Sequence, residues 1–254
     1  MQIAGCLWSL PGSPTEAAGV AAAAGFDSID VDPGFAHAGP RAEDLPVTCV
    51  AVAHRMPTGA ALDAANEAEQ AAAIQHALGG LEEAAGLGAS VVYVGPPSTA
   101  DEESRRRYRT AVCRLADVAQ NRGIRLGIEH FPGRGLPTVA ATLAFIRETD
   151  HPNLHLLLDV GHCQIAGESV AEAVRAAGDR LAYVHMDDND GRADRHFGLL
   201  QGIQTEDDVR GALDALDANG YDGPVGVETN PELDRPRAAF LDSLAVLRRI
   251  LPPT

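Results

Sequence analysis

The chain contains no lysine, and all 20 of its basic residues are arginine. Schiff-base aldolases, enzymes that hold pyridoxal phosphate and nucleotide hydrolases with a Walker motif each depend on a lysine amine. The sequence therefore excludes these three classes of activity for the chain by itself.

Long apolar runs and paired cysteines are missing as well. No stretch approaches the roughly 18 uninterrupted apolar residues of a membrane span, and the first residues lack the basic segment and apolar core of a signal peptide. The four cysteines are scattered without a CxxC pair, which is typical of reduced, mostly buried thiols. We therefore expect a cytoplasmic protein with no membrane partner.

Positive charge is scarce. Acidic residues outnumber basic residues by 36 to 20, so the net charge is −16. Such a charge repels phosphate backbones and argues against nucleic acid as a partner. The expected partner is instead a small molecule, and a homo-oligomer stays an open alternative to a monomer.

What the chain does contain is a regular alternation of strands and helices. Its 254 residues are close to the roughly 250 of one (β/α)8 barrel. Short runs of β-forming residues bounded by turn residues predict buried parallel strands. The predicted strands are residues 2–8, 26–31, 47–54, 90–95, 124–129, 154–159, 181–185 and 224–228. This pattern predicts an α/β fold, a single TIM barrel over residues 1–254. An open doubly wound sheet is the alternative, although no GxGxxG motif follows the first strand.

The helical segments are less uniform than the strands. Residues 32–46 are rich in proline and glycine, so the second helix is expected to be short or missing. The loop over residues 187–204 is long for a barrel and is expected to be functional or mobile. Helices are predicted at residues 14–24, 60–87 with an interruption near Gly79-Gly80, 101–121, 137–149, 169–177, from about 205, and 235–251.

Four successive strands in the second half of the chain end in a residue that can bind a metal. In a (β/α)8 barrel these strand ends converge on one rim, where the chemistry takes place. Strand burial does not require a charged end residue, so four in succession indicate a shared ligand. The residues are Glu129, Asp159, His185 and Glu228. Their oxygen-rich set suits one divalent ion, Mn²⁺ first, with Mg²⁺, Co²⁺ or Zn²⁺ as alternatives. The competing interpretation is that they pair with arginines at the rim.

More polar residues are expected near the same rim. His162 follows Asp159 by three residues, and His54 ends the third predicted strand. Asp194 and His196 stand at alternate positions of the long loop, so their side chains can point to one side. These residues are candidates for substrate binding or for a second metal ion, and the alternative is that they are solvated.

Two further predictions concern the segment after the fifth strand. His130 must face away from the rim if Glu129 faces toward it, because side chains alternate along a strand. Arg134 is a candidate for binding substrate oxygens. Trp8 and Phe131 are candidates for apolar walls, although an aromatic residue near a strand end is more often part of the core.

The chain resembles the xylose isomerase-like barrels, which include ketose 3-epimerases, hydroxypyruvate isomerases, inosose dehydratases and endonuclease IV. The resemblance covers the whole length and depends mainly on residues 124–230. Its motifs are IEHFP at 128–132, LLLDVGH at 156–162, YVHMDDNDG at 183–191 and VGVETN at 225–230. They are specific for the superfamily and weak for the reaction.

The resemblance implies roles for particular residues. In the ketose epimerases, the residues that match Glu129, Asp159, His185 and Glu228 hold the metal, and the histidine that matches His162 contacts a substrate oxygen. Endonuclease IV holds three zinc ions with further residues similar to His54, His162, Asp194 and His196. It also needs a histidine at the fourth strand, where this chain has Val94-Gly95-Pro96. The stretch after His196 also departs from the pattern of many relatives.

The function that these residues favour is a metal-dependent isomerase or epimerase acting on a small ketose-like sugar or polyol. A divalent ion would polarise a carbonyl and its neighbouring hydroxyl and stabilise an enediolate. Glu129 and Glu228 come from strands three apart around the ring, so they could act as bases on opposite substrate faces.

Three alternatives stay open at this point. A dehydratase of the inosose type would share the proton abstraction and then expel hydroxide, with His196 or His54 as the acid. A phosphodiesterase similar to endonuclease IV would need two or more zinc ions and would nick abasic DNA. A non-catalytic partner subunit would keep the barrel and lack turnover.

Overall fold

The structure, a computed structural model, describes residues 1–37 and 45–251. Eight parallel strands form a closed barrel in chain order, and β8 pairs with β1. The strands are β1 (Ile3–Cys6), β2 (Ser28–Val31), β3 (Val47–Ala51), β4 (Val91–Val94), β5 (Arg125–Glu129), β6 (Leu154–Asp159), β7 (Leu181–Met186) and β8 (Val225–Val227). The predicted TIM barrel is confirmed, and ring closure rules out the open doubly wound sheet.

Most observed strands are shorter than the predicted ones, because the flanking residues turn into the loops above and below the ring. Only β6 has the predicted bounds, Leu154–Asp159. The parallel register between β6 and β7 places Asp159 opposite His185. Pairing of neighbouring strands therefore aligns two of the candidate ligands at the same height in the barrel.

The helices surround the barrel and begin at well-formed caps. Ser13 and Thr205 both form a capping box with an acidic residue three positions later, which satisfies backbone N–H groups of the first turn. The helices are α1 (Pro14–Ala24), α2 (Glu67–Leu87), α3 (Glu102–Gln120), α4 (Val139–Thr149), α5 (Val160–Ala166), α6 (Val170–Ala177), α7 (Glu206–Ala218) and α8 (Pro236–Ile250).

The prediction for α2 is wrong in two respects. The helix begins at Glu67, not at residue 60, because the Asn66 side chain caps the amides of Ala68 and Glu69. The helix also continues through Gly79 and Gly80 without interruption. A Cβ at Gly80 would overlap the Val52 side chain, so this glycine permits close packing of the helix on the barrel and does not end it.

Two crossovers differ from the regular pattern. Between β2 and β3 the described residues contain one short 3-10 turn, Phe35–His37, and the amides of Gly34 and Ala36 donate to Glu83. The rest of that predicted short segment, residues 38–44, lies outside the described residues. The crossover after β6 contains the expected α6, but α5 precedes it and was not predicted. This extra helix places His162 over the rim.

The side chains inside the barrel lie directly below the strand ends that carry the candidate ligands. A cluster of buried side chains fills it, comprising Cys49, Ala51, Val91, Tyr93, Leu157, Ala182 and Tyr183. All four cysteines are free thiols, as expected, and Cys113 alone is partly exposed. Within residues 1–37 and 45–251, no helix combines the length and the apolar character needed to cross a bilayer.

Candidate metal centre

The four residues at the ends of β5 to β8 form one cluster. One ligand atom from each of them lies within 4.8 Å of the ligand atoms of the other three. All four residues are buried: Glu129, Asp159, His185 and Glu228. The structure thus brings together side chains that are up to 99 positions apart in the chain (228 − 129). We call these four residues the ligand cluster.

Asp159 is oriented by the helix that follows it. Its Oδ1 caps α5 by accepting the His162 amide at 2.7 Å. Its backbone amide donates to His130 Nε2 at 3.2 Å. The remaining oxygen, Oδ2, is buried and has no hydrogen-bond partner. Capping therefore leaves one carboxylate oxygen free to bind a cation, and His130 faces away from the cluster, as the strand alternation predicts.

Glu228 and His185 meet at the centre of the cluster. His185 Nδ1 lies 2.8 Å from Glu228 Oε2 and 3.6 Å from Glu129 Oε1. The shorter contact is an ion pair without the geometry of a hydrogen bond. Trp8 holds the other oxygen, because its Nε1 donates to Glu228 Oε1 at 2.6 Å.

The donor set fits a divalent cation. Buried polar atoms without partners are rare, since each one loses its bonds to water. Asp159 Oδ2 is such an atom, and it lies beside the ion pair between His185 Nδ1 and Glu228 Oε2. No arginine pairs with any of the four carboxylate or imidazole groups in the described part of the chain, which argues against the interpretation as rim ion pairs.

The charges within the cluster are strongly coupled. Burial by itself would raise the pKa of Glu228, but the neighbouring imidazoles of His185 and His196 outweigh it and hold the pKa well below its ordinary value. Burial raises the pKa of Asp159 well above its ordinary value, and nearby Asp187 adds to the effect. A cation would offset this crowding of carboxylates.

A second group of side chains lies beside the ligand cluster, at the start of the long loop. His196 Nε2 and His162 Nε2 lie 2.9 and 3.4 Å from the same oxygen of Asp194, Oδ1. His162 Nδ1 donates to the His130 carbonyl oxygen at 2.8 Å, so its Nε2 faces the rim. Asp194 and His196 do point to one side, as the alternation predicts, and they converge with His162.

Asp187 supports this second group, and sequence reasoning missed it. Its Oδ2 lies 3.0 Å from His196 Nδ1, and its Oδ1 accepts the Gly161 amide at 2.7 Å. Gly161 is required there, because a Cβ would overlap the Asp187 carboxylate. The signal was available: Asp187 follows His185 by two positions, which places both on the same face of an extended segment.

The imidazoles of the second group are positively charged in the absence of a bound ion. Burial by itself would lower the pKa of His162, but Asp159 and then Asp194 outweigh it and raise the pKa to about 10. Burial also opposes protonation of His196, yet Glu228 and Asp187 raise its pKa well above the ordinary value. Both shifts favour the protonated imidazoles at neutral pH.

His54 and Arg134 lie apart from these two groups. His54 Nδ1 lies 2.9 Å from Asp32 Oδ1, and its ring packs edge-on against Trp8 at 4.8 Å. Arg134 lines a cavity of about 300 Å³ that reaches Glu129, and its guanidinium lies 5.9 Å from the Phe131 ring centroid. The structure therefore places His54 and Arg134 on the walls of one cavity beside the ligand cluster.

A buried carboxylate below the rim was also missed by sequence reasoning. Asp30 accepts the Tyr183 hydroxyl at 2.7 and 2.8 Å and the Thr48 hydroxyl at 2.8 Å. Ligand atoms of Asp30, Cys6 and His185 lie within 4.8 Å of one another. Burial raises the pKa of Asp30, so this group below His185 resists ionisation. Its position within β2 gave no sign that it would reach β7.

The amino-acid sequence is similar to those of known barrel proteins. The pattern that defines the xylose isomerase-like TIM barrel family matches residues 19–250. L-ribulose 3-epimerase from Methylomonas sp. (strain DH-1) is 34% identical over 136 residues, 52% of this chain and 45% of that protein. Inosose dehydratase from Lacticaseibacillus casei is 27% identical over 155 residues, 56% of this chain and 52% of that protein. The chain spans about half the length of the curated relatives it matches.

The fold is also shared with solved structures. The crystal structure of the IOLI protein with a bound zinc atom superimposes with a TM-score of 0.79, at 18% sequence identity, and the match covers 98% of each chain. At this identity the likeness concerns the fold alone. It extends over nearly the entire barrel, so the order of the strands and helices is common to both proteins.

Proposed function

Because the chain belongs to the xylose isomerase-like TIM barrel family, we propose that it is a divalent-metal-dependent isomerase or epimerase of small ketose-like sugars or polyols. The observation that carries the proposal is the ligand cluster, whose four buried ligand atoms lie within 4.8 Å of one another and include the unpartnered Asp159 Oδ2. The relative that acts on L-ribulose as a 3-epimerase supports this reaction class. Glu129, Asp159, His185 and Glu228 would hold the ion.

The donor chemistry of the cluster guides the choice of metal. Three carboxylates and one imidazole favour Mn²⁺, while Mg²⁺, Co²⁺ and Zn²⁺ are alternatives. A barrel of the same fold binds a zinc atom, which supports a divalent ion as the cofactor. When bound, the ion would polarise a substrate carbonyl and its neighbouring hydroxyl and so make the adjacent C–H more acidic.

The protein's own residues would then move the proton. Glu228 stays ionised beside two imidazoles, and Trp8 fixes one of its oxygens, so it is a base held in a defined orientation. Glu129 enters the cluster from the other side, at the wall of the cavity. One glutamate would remove a proton from one substrate face, and the other would return a proton to the opposite face. His162 would bind a substrate oxygen.

Proton exchange tests this proposal directly. Glu228→Gln should keep the fold and the Trp8 contact but reduce exchange of substrate hydrogen for deuterium by at least about 100-fold, since general base catalysis contributes roughly that much or more. Exchange is measured by NMR in D₂O with Mn²⁺ or Mg²⁺ and a panel of ketoses that includes L-ribulose. Glu232→Gln, an exposed glutamate after β8, is the matched control. Undiminished exchange in Glu228→Gln would remove Glu228 from the role of base.

A dehydratase is the second candidate, and the second group of side chains favours it. Protonated His162 and His196 lie next to the ligand cluster, so either could protonate a leaving hydroxyl. The inosose dehydratase relative supports the same chemistry. The products differ in mass by one water, so mass spectrometry on ketose and inosose substrates separates the two outcomes.

Two remaining alternatives have specific tests. Nicking of abasic duplex DNA together with two or more bound zinc ions would favour a phosphodiesterase, for which the second group would hold additional metal. An intact metal without turnover on any sugar of the panel would favour a non-catalytic subunit. The net charge of the chain, −16, opposes the first alternative, because it repels the phosphate backbone of DNA.

A further inference from the structure

The second ring nitrogen of His185 faces away from the ligand cluster. Nδ1 lies 2.8 Å from Glu228 Oε2 and 3.6 Å from Glu129 Oε1. Nε2 is buried and has no hydrogen bond of regular geometry among residues 1–37 and 45–251. A histidine that binds a metal through one nitrogen carries its hydrogen on the other, where a further group accepts it and fixes the ring. The surroundings of Nε2 therefore affect how well His185 can serve as a ligand.

Aromatic rings enclose much of the His185 imidazole. Tyr93, Tyr183 and Trp8 contact it edge-on, with centroid distances of 5.3, 5.7 and 6.0 Å. The side chain of His185 is fully buried. Bulk water does not reach Nε2, so the group that accepts its hydrogen has to come from the protein.

Cys6 and Asp30 lie at the Nε2 edge of the ring. A ring nitrogen of His185, the Cys6 sulfur and an Asp30 oxygen lie within 4.8 Å of one another. A Cβ on Gly226 would lie 2.8 Å from Asp30 Oδ2 and 3.2 Å from His185 Cδ2, the carbon bonded to Nε2. Asp30 thus approaches the ring on the side opposite Nδ1, and glycine at position 226 leaves the space in which the two side chains meet.

The hydrogen bonds of Asp30 determine where the Cys6 thiol points its hydrogen. The Tyr183 hydroxyl donates to Asp30 Oδ1 at 2.8 Å and to Oδ2 at 2.7 Å, and the Thr48 hydroxyl donates to Oδ1 at 2.8 Å. The Cys6 thiol donates to Oδ2 at 3.6 Å. A thiol has a single hydrogen, so the sulfur that gives it to Asp30 has only lone pairs left for His185.

We propose that Cys6 and Asp30 are positioning residues for the metal ligand His185. Asp30 accepts the thiol hydrogen of Cys6, the sulfur accepts the hydrogen of His185 Nε2, and Nδ1 is left without a hydrogen and free to bind the ion. This inference rests on the proposed function, because it explains how the same metal site is prepared. It gives a role to a buried carboxyl group and a buried thiol that the proposed reaction does not use.

Mn²⁺ binding to the full chain tests the inference, with the free ion measured by electron paramagnetic resonance. Cys6→Ala removes the sulfur and should raise the dissociation constant at least about tenfold, as changes behind a metal ligand typically do. Cys6→Ser keeps a group that can both donate and accept, so it should recover most of the affinity. Asp30→Asn cannot accept at both of its positions and should also raise the dissociation constant at least about tenfold.

Cys49→Ala is the matched control. Cys49 is a fully buried thiol in the same barrel interior, and it does not belong to the group formed by Cys6, Asp30 and His185. The substitution therefore removes the same atom from the barrel without removing the sulfur beside His185, and it should leave the Mn²⁺ affinity unchanged. Urea unfolding in EDTA establishes that both alanine variants are folded before their affinities are compared.

The position of the hydrogen is measured by ¹⁵N NMR of Zn²⁺-loaded protein. In the wild type, His185 should show a slowly exchanging hydrogen on Nε2, with a shift that changes in Cys6→Ala and returns toward the wild-type value in Cys6→Ser. A hydrogen on Nδ1, or equal Mn²⁺ affinities for Cys6→Ala and Cys49→Ala, would overturn the inference and leave the metal site standing. If the wild type binds no Mn²⁺, the proposed function fails and the inference fails with it.

Discussion

At the scale of single residues, Trp8 links the first strand to the candidate metal centre. Its indole N–H donates to Glu228 Oε1, and its ring contacts His54 and His185 edge-on. A tryptophan near a strand end usually belongs to the core, and the sequence offered no sign of this hydrogen bond. The contact converts an apolar wall residue into one that orients a candidate base.

Because Trp8 is the only tryptophan of the chain, it should report metal binding. Titration of Mn²⁺ into metal-free protein should change the intrinsic fluorescence and saturate at about one ion per chain, since the ion would pull charge away from the carboxylate that Trp8 contacts. Asp159→Asn should weaken the titration. Asp101→Asn, which alters an exposed helix cap, should leave it unchanged. If Mn²⁺ does not change the fluorescence of the wild-type protein, the proposed metal site beside Trp8 is wrong.

His130 should make stability depend on pH. Burial, followed by the charge of His162, lowers its pKa from 6.5 to about 3 in the folded protein. Below a pH of about 6.5, His130 binds a proton in the unfolded chain but not in the folded chain. The contribution of His130 to the free energy of unfolding is therefore complete above a pH of about 6.5 and is lost as the pH falls toward about 3. The free energy of unfolding, measured in urea between pH 7 and 5, should fall more steeply in the wild type than in His130→Gln. Parallel slopes would show that His130 does not carry the effect.

At the scale of elements, the long loop after β7 is folded against the barrel by Asp188. The Asp188 Oδ2 accepts the Gly202 amide at 2.7 Å, and its Oδ1 accepts the Ile203 and Gln204 amides at 3.0 and 3.1 Å. Two backbone hydrogen bonds join Asp188 and Phe197, since each amide donates to the other residue's carbonyl. The loop that carries Asp194 and His196 is therefore held by defined hydrogen bonds, which favours the functional over the mobile interpretation of this loop.

Asp188→Ala should destabilise the protein by at least about 2 kcal/mol, because the Gly202 amide and the buried Gln204 amide lose their charged acceptor. Asp190→Ala in the same loop is the control: Asp190 caps the amides of Arg192 and Ala193 at a half-exposed position and should cost less than about 1 kcal/mol. Urea unfolding measures both values, and amide hydrogen exchange of residues 202–204 localises the effect. Equal costs for the two variants would show that Asp188 does not organise the loop.

At the scale of the whole molecule, the barrel confines several carboxylates to one rim in a chain of net charge −16. A cation that binds only the folded ring should stabilise it, by about 2.7 kcal/mol at a concentration 100-fold above its dissociation constant. For a chain of this size we expect Tm to rise by about 5 °C or more when Mn²⁺ replaces EDTA. Differential scanning calorimetry measures the shift. Glu129→Gln should reduce it, and an unchanged Tm in the wild type would contradict a folded-state metal site.

The sequence by itself determined the barrel and the four candidate ligands. Runs of β-branched residues with turn residues at regular spacing define parallel strands by local preference, and a charged residue at the end of a buried run is visible without coordinates. The same local logic placed the start of α7 at Thr205, where a capping box is encoded within four residues. It failed at Gly80, because a glycine that serves close packing and one that ends a helix look alike in a linear chain.

Only the tertiary structure decided which partners each ligand has. Asp30 and Trp8 contact residues that are far away in the sequence, and these contacts depend on ring closure and register, not on local pattern. Only the folded structure shows that, among residues 1–37 and 45–251, no acidic side chain pairs with Arg134 and that its guanidinium lies near the Phe131 ring. Local sequence sets the order of strands and the residues at their ends, while hydrogen bonds, burial and charge coupling arise between segments that meet only after the barrel closes.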